Sequence, residues 1–269
     1  MFTLPVVLAG DSGFARPAVL RSLALALGLL ASAAALSFFH LGKPENAWRT
    51  LGNLRDSWLS REIFFLLLTT GLLAGTFVLV WARGGSRMFV AGVVVAAALS
   101  GAALILSMAK IYGLEAVPSW NNAMTVFSFF MTAALVGTLA ASAASALGIL
   151  RPGEGPHPLA GGLAQAALAL AVADLAAVVL FDPNFGTAEA AGARTAGTAP
   201  STASRTVFLV RLALLFIAGL CVAAVLHSDG LGVADPFVRW AIVAALIAGL
   251  ASEGLGRVLF YALFRKDGL

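Results

Sequence analysis

Apolar runs of about 18 residues or more recur along this chain, each long enough to cross ~30 Å of hydrocarbon as a helix. They fall roughly at residues 20–39, 60–82, 88–109, 120–150, 159–181, 207–226 and 237–264. The pattern predicts an all-α, polytopic transmembrane helical bundle with seven full spans. A further apolar piece, residues 2–10, is too short to span and has no basic segment before it, so it makes a poor signal peptide. It reads as the tail of a first helix or as an interfacial segment. The stretches between the spans are short, apart from residues 182–204, which are rich in Ala, Gly and Thr and show no hydrophobic period.

The longest charged interruption, residues 38–62, reads FFHLGKPENAWRTLGNLRDSWLSRE. The pattern makes it a loop between two spans, with His40 ending the first and Glu62 opening the second. Ser60 is the expected N-cap, and Glu62 then stands in the first turn, where the helix dipole favours an anion. Two proton-exchanging side chains therefore meet one side of the membrane beside a cluster of Arg and Trp. The tight turn at residues 83–87 and the Pro- and Gly-rich stretch at 151–158 are loops by composition.

Composition narrows the class. With 60% hydrophobic and 11% charged residues and a mean hydropathy of +0.95, an ordinary soluble domain is excluded. Residues 1–269 read as a single transmembrane domain with no room for a soluble catalytic one. The net charge of +4 is scattered among membrane-edge loops, where basic residues meet lipid phosphates and set topology. Nucleic acid is not an expected partner; membrane lipid is. Cys221 is the single cysteine, so an intrachain disulfide or an iron–sulfur ligand set is ruled out.

Four features carry candidate chemistry. His40 can take and release a proton near neutral pH, or simply hydrogen-bond the loop. Glu62 is a proton acceptor, or a carboxylate held by the helix dipole. Asp174 lies inside an apolar span, where acids are expensive and face a polar interior, unless it snorkels to the helix end two turns away. Glu253 and Arg257 are spaced for an i,i+4 ion pair with the acid first, and Gly254 and Gly256 allow a close helix approach there. Such a pair is a structural salt bridge, a proton path or a donor to a carbonyl ligand. His157 and His227 fall in or beside loops, so two histidines facing across spans, as a membrane haem requires, are not expected. No metal-ligand spacing, phosphate loop or nucleophile–base arrangement occurs.

Five segments in series resemble the membrane-anchor subunit of the dimethyl sulfoxide reductase family. They are His40-Leu-Gly-x-Pro44, Ser57-Trp-Leu-Ser-Arg-Glu62, Lys110-x-Tyr112 with Val117-Pro-x-Trp120, Ser128-Phe-Phe130 with Thr132, and Glu253-x-x-Gly-Arg257-x-x-Phe-Tyr261. The resemblance implies an eight-helix anchor of the bacterial inner membrane, also found with sulfite-oxidising complexes, that carries no haem or iron–sulfur cluster of its own. It implies docking to an iron–sulfur subunit with four 4Fe–4S clusters, which serves a molybdenum bis-pterin catalytic subunit. The exchangeable substrate would be a quinone or quinol, menaquinone or ubiquinone, and the family places that chemistry at positions matching His40 and Glu62. Seven full spans rather than eight is the departure.

On this reading His40 takes one quinol proton, Glu62 accepts or relays the other, and the electrons pass to the docked partner. Arg61, Lys110 and Arg257 are candidates to orient the ring or hold the partner. The protein is then a non-catalytic or quinone-reacting subunit of its complex, working in either electron direction. Two other classes compete. A proton- or solute-conducting transporter would show pseudo-symmetric halves or broken helices, and a purely structural anchor would have no quinone site.

Overall fold

The computed structural model describes residues 16–38, 44–82, 86–115, 117, 120–150, 158–181, 202–228 and 235–262. Within them run seven long helices: α1 (Arg16–Phe38), α2 (Trp58–Trp81), α3 (Arg87–Ile111), α4 (Ala123–Ala146), α5 (Pro158–Phe181), α6 (Thr202–His227) and α7 (Pro236–Ala262). Each carries a segment long and apolar enough to cross a membrane, so the seven expected spans are all present. The N-terminal apolar piece lies outside the described residues. Among the described residues there is no strand.

Three local expectations change. Part of the charged interruption is not a plain loop: Pro44–Asn53 form a 3-10 helix. The N-cap of α2 is Ser57, not Ser60, because the extended Ser57 presents its side chain to the Ser60 N–H at 3.3 Å. Glu62 consequently sits just beyond the first turn, where the dipole has largely decayed. At the other end of the chain α6 runs longer than expected. It begins at Thr202 and ends at His227, so His227 stands at the end of a span.

The protein gathers into two compact units, one made of residues 1–111 with 148–155 and the other of the remainder. In the first unit α2 packs against both α1 and α3, and the 3-10 helix lies on α2. Apart from Leu23 and Leu150, its buried residues are small or β-branched, among them Ala18, Val19, Val80, Val90, Val94 and Ala97. Without a hydrophobic drive between helices in lipid, such residues let backbones approach closely. A hydroxyl pair adds polar glue: Thr69 Oγ1 donates to Ser100 Oγ at 2.8 Å, and both are buried.

The second unit is a closed four-helix arrangement. α4 packs on α5, α5 on α6, α6 on α7, and α7 back on α4. Its core joins Leu135 and Leu139 of α4, Ala164, Ala167 and Ala171 of α5, Leu215 and Val222 of α6, and Ala245 of α7. Large apolar side chains such as Leu220, Ile247 and Leu250 remain exposed. That distribution suits a solvent of lipid, in which apolar side chains outside carry no penalty.

Candidate functional site

The two ends of the sequence-derived site fare differently. His40 lies outside the described residues. Glu62 is partly buried near the start of α2. Beside it, Arg61 is committed to the preceding turn: Nε donates to the Leu54 carbonyl at 2.9 Å and Nη2 to that of Arg55 at 2.5 Å. Its guanidinium also lies 4.2 Å from the centre of the Trp58 ring. Arg61 thus ties the chain after the 3-10 helix to the start of α2. Lys110 is exposed in the last turn of α3.

Arg257 belongs to the four-helix unit and has partners different from those the sequence suggested. Its Nη2 donates to Thr132 Oγ1 at 3.2 Å, and its guanidinium sits 3.8 Å from the centre of the Phe129 ring. Glu253 does not pair with it directly. The ion partner of Glu253 is Arg211 of α6, with Oε1 at 3.6 Å from Nη2, while the Thr132 hydroxyl donates to Glu253 Oε2. Thr132 therefore connects Arg257 to Glu253, in place of the expected i,i+4 salt bridge. The reason is geometric: an inward-facing carboxyl of α7 meets a cation offered from the neighbouring helix.

Asp174 completes the group. It is 2% exposed, so it does not snorkel, and Oδ2 lies 3.7 Å from the same Arg211 Nη2. All four helices of the unit contribute: Thr132 from α4, Asp174 from α5, Arg211 from α6 and Glu253 with Arg257 from α7. Close packing holds the arginine in place, for a Cβ on Gly256 would fall 2.9 Å from both Cζ and Nε of Arg211. Ser252 Oγ also donates to the Arg211 carbonyl at 3.1 Å, joining α7 to α6 at this level. Three buried polar atoms, Asp174 Oδ2, Arg211 Nε and Glu253 Oε1, have no hydrogen-bond partner among the described residues.

Towards the end of α7 the polar line gives way to aromatic rings. Trp120 stacks on Phe260 at 5.1 Å and donates from Nε1 to the Phe260 carbonyl at 2.9 Å. The Tyr112 and Tyr261 hydroxyls hydrogen-bond at 2.5 Å. Trp120 and Tyr261, from two of the segments that carried the family resemblance, thus come together with Tyr112. Indole and phenol groups with one apolar and one polar end suit a membrane–water boundary.

A model of the DMSO reductase anchor subunit family (DmsC) matches residues 1–263. The chain belongs to that family. The anchor is 28% identical over 250 residues to the C polypeptide of the anaerobic dimethyl sulfoxide reductase of Haemophilus influenzae, covering 90% of this chain and 81% of that one. It is 29% identical over 245 residues to the YnfH polypeptide of an anaerobic dimethyl sulfoxide reductase of Escherichia coli, covering 87% and 78%. The C polypeptide of the sulfite dehydrogenase of Allochromatium vinosum is 33% identical over 133 residues, 45% of this chain and 41% of that protein. No solved structure matches the anchor. Family and fold together make it a multi-pass membrane anchor subunit of the bacterial inner membrane.

Arg211 is the residue that the sequence pattern did not bring forward. The signal was present: an arginine inside an otherwise apolar span is costly unless something neutralises it.

Proposed function

We propose that this anchor exchanges electrons and protons between the membrane quinone pool and a docked iron–sulfur subunit bearing 4Fe–4S clusters. That subunit would exchange electrons in turn with a molybdenum bis-pterin catalytic subunit. The relatives named for dimethyl sulfoxide reductase and for sulfite dehydrogenase support an anchor that serves either electron direction. The observation that carries the residue assignment is Glu62: a partly buried carboxyl near the start of an otherwise apolar span. Its neighbour Arg61 is already committed to the turn before it.

Oxidation of a quinol releases two electrons and two protons, so a site for it needs acceptors of both. His40 takes the proton of one ring hydroxyl and Glu62 takes or relays the other towards water, while the electrons pass to the partner. Run backwards, the same two groups protonate a reduced quinone. Lys110 is exposed in the last turn of α3 and suits a contact with the partner or with lipid phosphate. Arg61 acts by positioning Glu62. Arg257 has its guanidinium shared between Thr132 and Phe129, which supports a role in holding the four-helix unit together beside any contact with the ring or the partner.

The test uses the assembled complex in membranes with two readouts, quinone-linked turnover and reduction by an artificial dye. His40→Asn removes proton exchange near neutral pH but keeps a hydrogen-bonding side chain. It is expected to lower quinone-linked turnover by about 100-fold, within the range of general acid–base effects, with dye activity unchanged. Glu62→Gln is expected to act in the same direction and less severely, because water is close at the span's edge. Unchanged quinone-linked turnover in both variants removes this loop from the site. Loss of both activities assigns it to folding or docking instead.

A further inference from the structure

The four-helix unit holds a second group of titratable side chains that the quinone reading does not use. Asp174 and Glu253 come from different helices, α5 and α7, and both are more than nine-tenths buried. Both carboxyls converge on one guanidinium nitrogen, Arg211 Nη2. Two ionised carboxylates can only accept hydrogen bonds and repel one another, so bringing them together in a buried place favours a proton on the pair. The cation they share is single: Arg211 Nη2 lies 3.7 Å from Asp174 and 3.6 Å from Glu253. Within ion-pair range two carboxylates face one guanidinium, with Arg257 one hydroxyl further away behind Thr132, and a proton bound by the pair relieves the repulsion between the acids.

We propose that Asp174 and Glu253 form a binding site for one exchangeable proton, shared between the two carboxyls and held by Arg211. Three features point to an occupied site rather than a plain brace between helices. Asp174 Oδ2, Glu253 Oε1 and Arg211 Nε are all buried without a hydrogen-bond partner among the described residues. Both ion-pair distances exceed a hydrogen bond. The guanidinium cannot swing closer to one acid at will, because Gly256 packs directly against it. A water molecule that accepts from Nε and donates to either carboxyl would satisfy these atoms and give the proton a way in.

The surroundings complete the electrostatic picture. α4 carries no titratable residue and offers Thr132, whose hydroxyl donates to Glu253 Oε2. α5 offers Asp174 alone. From α6 the facing group is Arg211. From α7 come Glu253, Arg257, which reaches Glu253 through Thr132, and Tyr261, whose hydroxyl pairs with that of Tyr112 at the end of the helix. The line Asp174, Glu253, Thr132, Arg257 thus leads from the buried pair towards the exposed Tyr261. Arg257 does not give up a proton, so along this line the exchange runs through water molecules that the polar groups order.

Infrared difference spectroscopy of the full complex in membranes tests this independently of quinone turnover. A neutral carboxyl group gives a carbonyl-stretch band that shifts in heavy water, whereas a carboxylate does not. Wild type minus Glu253→Gln at neutral pH is expected to show this band, and Asp174→Glu is expected to move it without abolishing it. A wild-type pH titration is expected to lose the same band at high pH. A brace made of ionised side chains would show no such band in any of these spectra, and that result overturns the proposal. If the substituted proteins fail to accumulate, the wild-type titration decides alone: no exchangeable carboxyl band means no shared proton. Neither result depends on whether His40 and Glu62 serve quinone.

Discussion

The two helical units use polar groups in opposite ways. In the first, the buried polar pair is two neutral hydroxyls, Thr69 and Ser100, and the charged side chains near α2 stand at its end, with Arg61 turned onto loop carbonyls. In the second, full charges from three helices meet inside the unit around Arg211. A hydroxyl pair can be removed at little cost, since neither group carries a charge and the Ser100 hydroxyl also has the Phe65 carbonyl as an acceptor. A buried arginine between two acids cannot, because its loss strands charge in a medium that does not solvate it. The unit with buried charge should therefore be the one whose folding depends on individual side chains.

The largest expected effect follows from that contrast. Arg211→Met leaves Asp174 and Glu253 without their shared cation and should destabilise the protein by roughly 3–5 kcal/mol, the cost of breaking a buried pair from one side. Little folded anchor should then be recovered from membranes, as judged by size-exclusion profile and thermal stability in detergent. Adding Asp174→Leu and Glu253→Gln to Arg211→Met removes the stranded charges and should restore most of the loss. If the triple variant is no better than Arg211→Met, the arginine has a task beyond neutralisation. The comparison between the units would then rest on that task and not on charge burial.

A smaller effect separates the glycines of the two units. In Gly256→Ala the new methyl group meets the Arg211 guanidinium at 2.9 Å. The guanidinium is held between two acids, so the expected cost is about 1–3 kcal/mol, typical of overpacking. Gly249→Ala meets Leu139 Cδ1 at 2.7 Å, but a leucine end can change rotamer, so the cost should be less. Gly71, Gly75 and Gly92 in the first unit have nothing within 4 Å of a Cβ. Alanine there should be neutral or stabilising by up to about 1 kcal/mol, from helix propensity. Thermal unfolding of the five single variants ranks them, and equal shifts in both units would contradict the difference in packing.

The sequence was most legible where one dimension suffices. Seven spans follow from apolar length, and all seven helices are there. The resemblance in five short segments agrees with a family match over residues 1–263. What the pattern missed is set by helix ends and by neighbours across space. An expected start near residue 207 places Arg211 close to a membrane edge, where arginine is ordinary. The observed start at Thr202 carries it well into the span. Glu253 and Arg257 have the right spacing for a pair along one helix, but spacing says nothing of a cation on α6 or a hydroxyl on α4. The Ser57 cap was hidden by Ser60, an equally good capping residue three positions later.

The smallest expected effect probes the hydroxyl pair that stands against the charged cluster. Thr69→Val keeps the branched shape and removes only the hydroxyl that donates to Ser100 Oγ. Ser100 Oγ still has an acceptor of its own, the Phe65 carbonyl at 3.4 Å, so no donor is stranded. Interhelical hydrogen bonds within membranes contribute about 0.6 kcal/mol on average, because unfolded helices in lipid also find partners. Thr69→Val should therefore lower stability by about that amount, leave assembly and both turnover readouts unchanged, and be detectable only in a careful unfolding measurement. A loss as large as that of Arg211→Met would mean that α2 and α3 depend on this one contact. The first unit would then be as sensitive to single polar side chains as the second, and the contrast drawn between them would fail.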